Sequence, residues 1–91
     1  MVGYLKLVRN VVGIIKMRKI LISAPEQLAN KIGDKLRHNY DIELSILPYE
    51  AICEIKANIR RKWITICRFA SDENLKDILT MFEVNYELKT R

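Results

Sequence analysis

Between Ile42 and Ala70 the chain alternates apolar and polar residues with a period of two, in three successive runs. Ile42, Leu44 and Ile46 alternate with Glu43 and Ser45, and Pro48 ends that run. Over residues 50–57, Ala51, Cys53 and Ile55 oppose Glu50, Glu54 and Lys56, with Ile52 out of pattern. From Lys62 to Ala70, Trp63, Thr65, Cys67 and Phe69 oppose Ile64, Ile66 and Arg68. Side chains of a strand point alternately to its two faces, so each run predicts a strand with one covered face. Asn58-Ile59-Arg60-Arg61 predicts a turn between the last two runs, which makes a β-hairpin with a basic tip.

Either side of this block the period lengthens. Behind Pro25, which suits a first helical turn, Leu28, Ala29, Ile32, Leu36 and Tyr40 recur at three- and four-residue steps. Lys31, Asp34, Lys35 and Arg37 lie off that stripe, which predicts a helix over 25–39. Gly33 weakens it by roughly 1 kcal/mol without breaking it. A second helix is expected after an N-cap at Ser71, with Asp72 and Glu73 in its first turn and Leu75, Ile78, Leu79, Phe82 and Tyr86 facing inward. Its end is open, because Val84, Tyr86 and Leu88 alternate like a strand while Leu79, Phe82, Tyr86 and Lys89 keep helical spacing. Upstream, residues 11–23 are rich in Val and Ile and predict a strand, most clearly over 17–23; GYLKLVR at 3–9 is another candidate. The order of elements points to an α+β, ferredoxin-like sandwich, an antiparallel sheet with two helices on one face. Residues 1–16 form a basic extension or extra strand and 17–91 the single domain, with Met17 a second candidate start.

Apolar residues make up 49% of the chain and charged residues 30%, the balance of a folded domain and not of a disordered one. The net charge of +5 is unevenly placed: residues 1–25 carry Lys6, Arg9, Lys16, Arg18 and Lys19 and no acid. Such a segment suits an anionic partner, nucleic acid foremost, or a solvated strand face. No run reaches the roughly 18 apolar residues that span a bilayer, and Val11–Ile15 is too short for a signal-peptide core, so a cytoplasmic protein without membrane partners is expected. Cys53 and Cys67 fit no metal-binding spacing; they are expected as buried thiols, although a hairpin through 58–61 also allows a disulfide.

Three groups of residues carry candidate chemistry. His38 is the only histidine and stands off the helix stripe, which suits a surface residue better than a general base; with it alone and no cysteine cluster, no structural zinc site or other cofactor is expected. Asp41 followed by Glu54-Ile55-Lys56 has the pattern of a metal-dependent PD-(D/E)xK nuclease, in which the carboxylates hold Mg²⁺ and the lysine steadies the attacking water. An alternating Glu-x-Lys on a solvent-facing strand is also commonplace. Arg60, Arg61 and Lys62, with Trp63 beside them, suit phosphate contact and base stacking, so this tip is the expected RNA-binding site.

The run from Lys62 to Lys76, KWITICRFASDENLK, resembles the strand-to-helix passage of the small Pcc-family subunit of the KEOPS complex. Ile20-Leu21-Ile22-Ser23-Ala24-Pro25-Glu26 and Pro48-Tyr49 fit the same pattern, so the likeness covers roughly residues 17–83. At Leu79–Glu83 the chain departs from the family, as a divergent paralogue would. The resemblance implies a non-catalytic subunit of the machinery that makes threonylcarbamoyladenosine on tRNA. Such a subunit pairs with itself or a related small subunit, docks helices on the transferase and helps hold tRNA. Leu75, Ile78, Leu79 and Phe82 are then the expected partner-helix interface. Two other classes stay open: the nuclease of Asp41, Glu54 and Lys56, and a small-ligand regulatory module, which a strand at residues 84–90 completing the sheet would favour and a continued helix disfavour.

Overall fold

A computed structural model describes residues 17–91, so the strand expected at 3–9 and the extension 1–16 lie outside the described residues. Six elements follow one another: β1 (Lys19–Ala24), α1 (Glu26–Leu36), β2 (Asp41–Ile46), β3 (Cys53–Ile59), β4 (Lys62–Phe69) and α2 (Leu75–Thr90). The strands form one sheet in the order β2-β1-β3-β4. Both helices cover the same face of it. The inward residues Ile20, Ile22 and Ala24 of β1, Cys53, Ile55 and Ala57 of β3, and Ile32, Ile78 and Phe82 of the helices make one buried core.

Layering agrees with the sequence; strand direction does not. β1 and β2 run parallel, with Ile20 beside Ile42 and Ile22 beside Leu44, whereas β1–β3 and β3–β4 are antiparallel. The sheet is therefore mixed, not antiparallel. The cause is the connection: α1 carries the chain back along the sheet so that β2 starts from the same end as β1. The second helix follows β4, as the periodicities predict; the α+β sandwich is consistent with a ferredoxin-like arrangement, but its strand order differs from the one usual for that fold.

Element ends shift for local reasons. α1 stops at Leu36, three residues short of expectation, and Arg37 and Tyr40 close its last turns by donating to the carbonyls of Gly33 and Leu36. α2 is capped by Asn74, whose Oδ1 accepts from the Lys76 amide at 2.8 Å, and not by Ser71. The Ser71 hydroxyl instead donates to the Tyr49 carbonyl at 2.7 Å, tying the β2–β3 loop to the β4–α2 loop. Asp72 and Glu73 thus precede the helix, and Asp77 is the acid of its first turn.

The ambiguous residues 84–90 are helical. Tyr86 decides the matter. Its ring stacks on Phe82 at 5.4 Å and meets Tyr40 edge-on at 5.2 Å, while Tyr40 meets Phe82 at 5.6 Å. Helical spacing puts Phe82 and Tyr86 on one side, and three mutually packed rings hold α2 down over its second half. The continued helix disfavours the regulatory-module class.

Candidate nucleic-acid interface

The β3–β4 hairpin closes with Ile59 opposite Lys62, leaving a loop of only Arg60 and Arg61. Ile59, expected in the turn, is the last residue of β3 and is buried. A two-residue loop must twist with its flanking strands, which requires left-handed backbone at both positions. Arg60 and Arg61 adopt it, with φ of 53° and 68°. Asparagine and glycine fill such turns readily; an arginine Cβ there crowds the carbonyl, at a cost of about 1 kcal/mol or more per residue. The fold holds two exposed guanidinium groups at its most strained point.

Halfway along the hairpin the pairing slips. Ile55 faces Cys67, but Lys56 faces Thr65, so Ile66 is an extra residue in β4, a β-bulge. Its carbonyl accepts from the Asn85 side-chain amide of α2 at 3.0 Å, and Ile66 and Cys67 are both buried. The bulge reverses the facing of everything between it and the hairpin tip. Trp63, Thr65, Cys67 and Phe69 therefore do not share a side as the alternation predicted. Cys67 and Phe69 enter the core, while Trp63 stands opposite Asn58 on the face without helices, with 41% of its surface exposed.

That open face has a basic end. Ile20 pairs with Ala57, which sets Lys19 beside Asn58 and hence two strands from Trp63. Arg18, Lys19, Asn58 and Arg61, with Met17, line an open cleft of about 650 Å³. Arg60, Arg61 and Lys62 are all exposed. Sequence reasoning marked Arg18 and Lys19 for an anionic partner but did not join them, or Asn58, to the tip, because only the β1–β3 register does so.

The nuclease trio is not brought together. Asp41 sits beside Lys19 on edge strand β2, whereas Glu54 pairs with Ser23, four residues further along β1 and on its other side. Two strand spacings and four residues of rise part their backbones by roughly 16 Å. Glu54 is instead engaged by Lys56 Nζ and Arg68 Nε, each at 3.3 Å. Among the described residues, no three His, Cys, Asp or Glu side chains group as a metal site would need. His38 is exposed in the turn after α1.

One further expectation is corrected. Ile78 and Phe82 have no exposed surface, so these members of the expected partner interface are core residues of the chain itself. Leu75 and Leu79 are partly buried against the same core. The apolar residues that α2 does expose are Val84 and Leu88. Cys53 and Cys67 are free and buried; Cys53 faces Phe69 and Cys67 faces Ile55, so the thiols are diagonal neighbours, not a cross-strand pair. No helix among the described residues is long and apolar enough to cross a membrane. Comparison with protein-family models, curated proteins and solved structures finds no match for the chain.

Proposed function

We propose that the chain is a non-catalytic, cytoplasmic accessory subunit that contacts RNA through the β3–β4 tip, with its chemistry supplied by another protein. This is the role that the resemblance to the small KEOPS subunit implies, with tRNA as the RNA. One observation carries the reading: two arginines occupy left-handed turn positions where asparagine and glycine would be more stable. A local choice that opposes the fold points to a use outside the fold. Charge placement supports it, since Arg18, Lys19 and Arg61 line one cleft.

The test exploits the conflict. Replacing Arg60→Asn together with Arg61→Gly relieves the turn and removes two cations. Stability should rise by about 1–2 kcal/mol in urea unfolding. Affinity for tRNA should fall, and the slope of log K against log salt should lessen by roughly 2. Arg60→Glu with Arg61→Glu should weaken binding further without the gain in stability. If the Asn-Gly variant binds tRNA as the parent does, with the same salt slope, the hairpin tip makes no RNA contact.

A further inference from the structure

We infer that the open face of the sheet binds single-stranded nucleic acid, with one base stacked on the Trp63 indole and the flanking phosphates held by Lys19 and Arg61; this rests on the nucleic-acid reading of the hairpin tip and specifies its ligand. The argument begins with the bulge. Had the alternation run unbroken through Ile66, the Trp63 ring would lie on the core side with Cys67 and Phe69; the bulge instead leaves a large flat apolar side chain exposed among polar neighbours. Asn58 stands across from it, and Thr65 is the next outward residue along β4. Both are small and polar, so neither covers the indole, and the Asn58 amide can donate and accept toward a base edge.

Charge sets the polymer. Lys19 lies two strands from Trp63, roughly 10 Å away, and Arg61 closes the hairpin two residues before it. Long cationic side chains on either side of a stacking ring are placed to take the phosphates before and after one base. Of the acids on this face, Glu54 is engaged by Lys56 and Arg68 at the far end, and Asp41 and Glu43 are on edge strand β2, where Asp41 pairs beside Lys19; none of them pairs with Trp63 or Asn58. A duplex does not fit this chemistry. Its bases are already stacked on each other and show only their edges, whereas an indole on a sheet needs an exposed base face.

Trp63 is the only tryptophan in the chain, so its fluorescence reports stacking directly. The full-length chain is titrated with an oligouridylate of about 12 nucleotides, the matching oligodeoxythymidylate, and an RNA duplex of the same length. Either single strand should quench the fluorescence. Trp63→Ala should lower single-strand affinity roughly 10-fold, measured on a labelled oligonucleotide, and Trp63→Phe should restore most of it. Circular dichroism and urea unfolding establish that both variants stay folded. Binding that depends on Arg60 and Arg61 but leaves the fluorescence unchanged, or that favours the duplex, overturns the stacking site and leaves the backbone contact standing. If none of the three probes nor tRNA binds, both readings fall.

Discussion

At the scale of single residues the molecule sets its strain and its burial in different places. Arg60 and Arg61 bear left-handed backbone at the surface, whereas Cys67 is a titratable group inside. Burial pushes the Cys67 thiol up from 9.0 to about 11, against a smaller opposing effect of a hydrogen bond with the Ile55 backbone. The unfolded chain gives up that proton near pH 9 while the folded chain keeps it. The folded state therefore binds more protons in this window, and stability falls as pH rises. Its contribution is intact below pH 9 and lost by about pH 11, a total of about 2–3 kcal/mol. Tyr40 and Tyr86 are also raised, mainly by burial, and act with the same sign at higher pH, so the measurement has to be a difference. Urea unfolding of the parent and of Cys67→Ala across roughly pH 8 to 11 should show the parent's advantage shrinking by about 1.4 kcal/mol per pH unit above 9. A constant gap would mean that the thiol ionises equally in both states.

At the scale of elements, the bulge in β4 decides what the sheet presents. All six elements follow from periodicity and turn residues alone, because each has one covered face and one wet one. The bulge does not. Ile66 sits in a run of alternating β-branched residues, and nothing in that run marks it as surplus; the slip exists only relative to β3. The hairpin loop was likewise illegible at its true length, since Arg-Arg lacks the residues that ordinarily announce two left-handed positions. The end of α2 was undecided for a third reason: Val84, Tyr86 and Leu88 satisfy a strand pattern until the packing partners of Tyr86 are known. One side chain secures the slip. Asn85 donates to the Ile66 carbonyl, so helix and bulge are fixed to each other. Asn85→Leu should destabilise the fold by about 1–3 kcal/mol, because it leaves a sheltered carbonyl without a donor. Amide exchange should quicken first at the Ile66 end of the hairpin. Uniform quickening over all four strands would show that the contact stabilises the whole fold and not the bulge.

At the scale of the whole molecule, two surfaces divide the proposed work. The proposed RNA contact lies on the open sheet face and its hairpin tip; the proposed protein contact would fall on α2, but on the side opposite the stripe that periodicity first suggests. Ile78 and Phe82 are consumed by the core, so a partner can meet only what remains outside. Val84 and Leu88, 53% and 60% exposed and four residues apart, stand one above the other on the helix, with Met81 partly buried beside them. A second copy of the chain, or a related small subunit, would cover this strip by setting its own helix against it. Exposed positions of this kind contribute little to folding, so Val84→Glu with Leu88→Glu should leave unfolding stability within about 0.5 kcal/mol. Sedimentation equilibrium should show a dimer for the parent and a monomer for the variant, because each glutamate would be driven into an apolar contact beside its symmetry mate. Phe82→Ala serves as the contrast, since it removes a buried ring and should cost about 3–5 kcal/mol of fold stability. If the parent sediments as a monomer, or if the variant dimerises as tightly as the parent, the strip on α2 is not where copies meet.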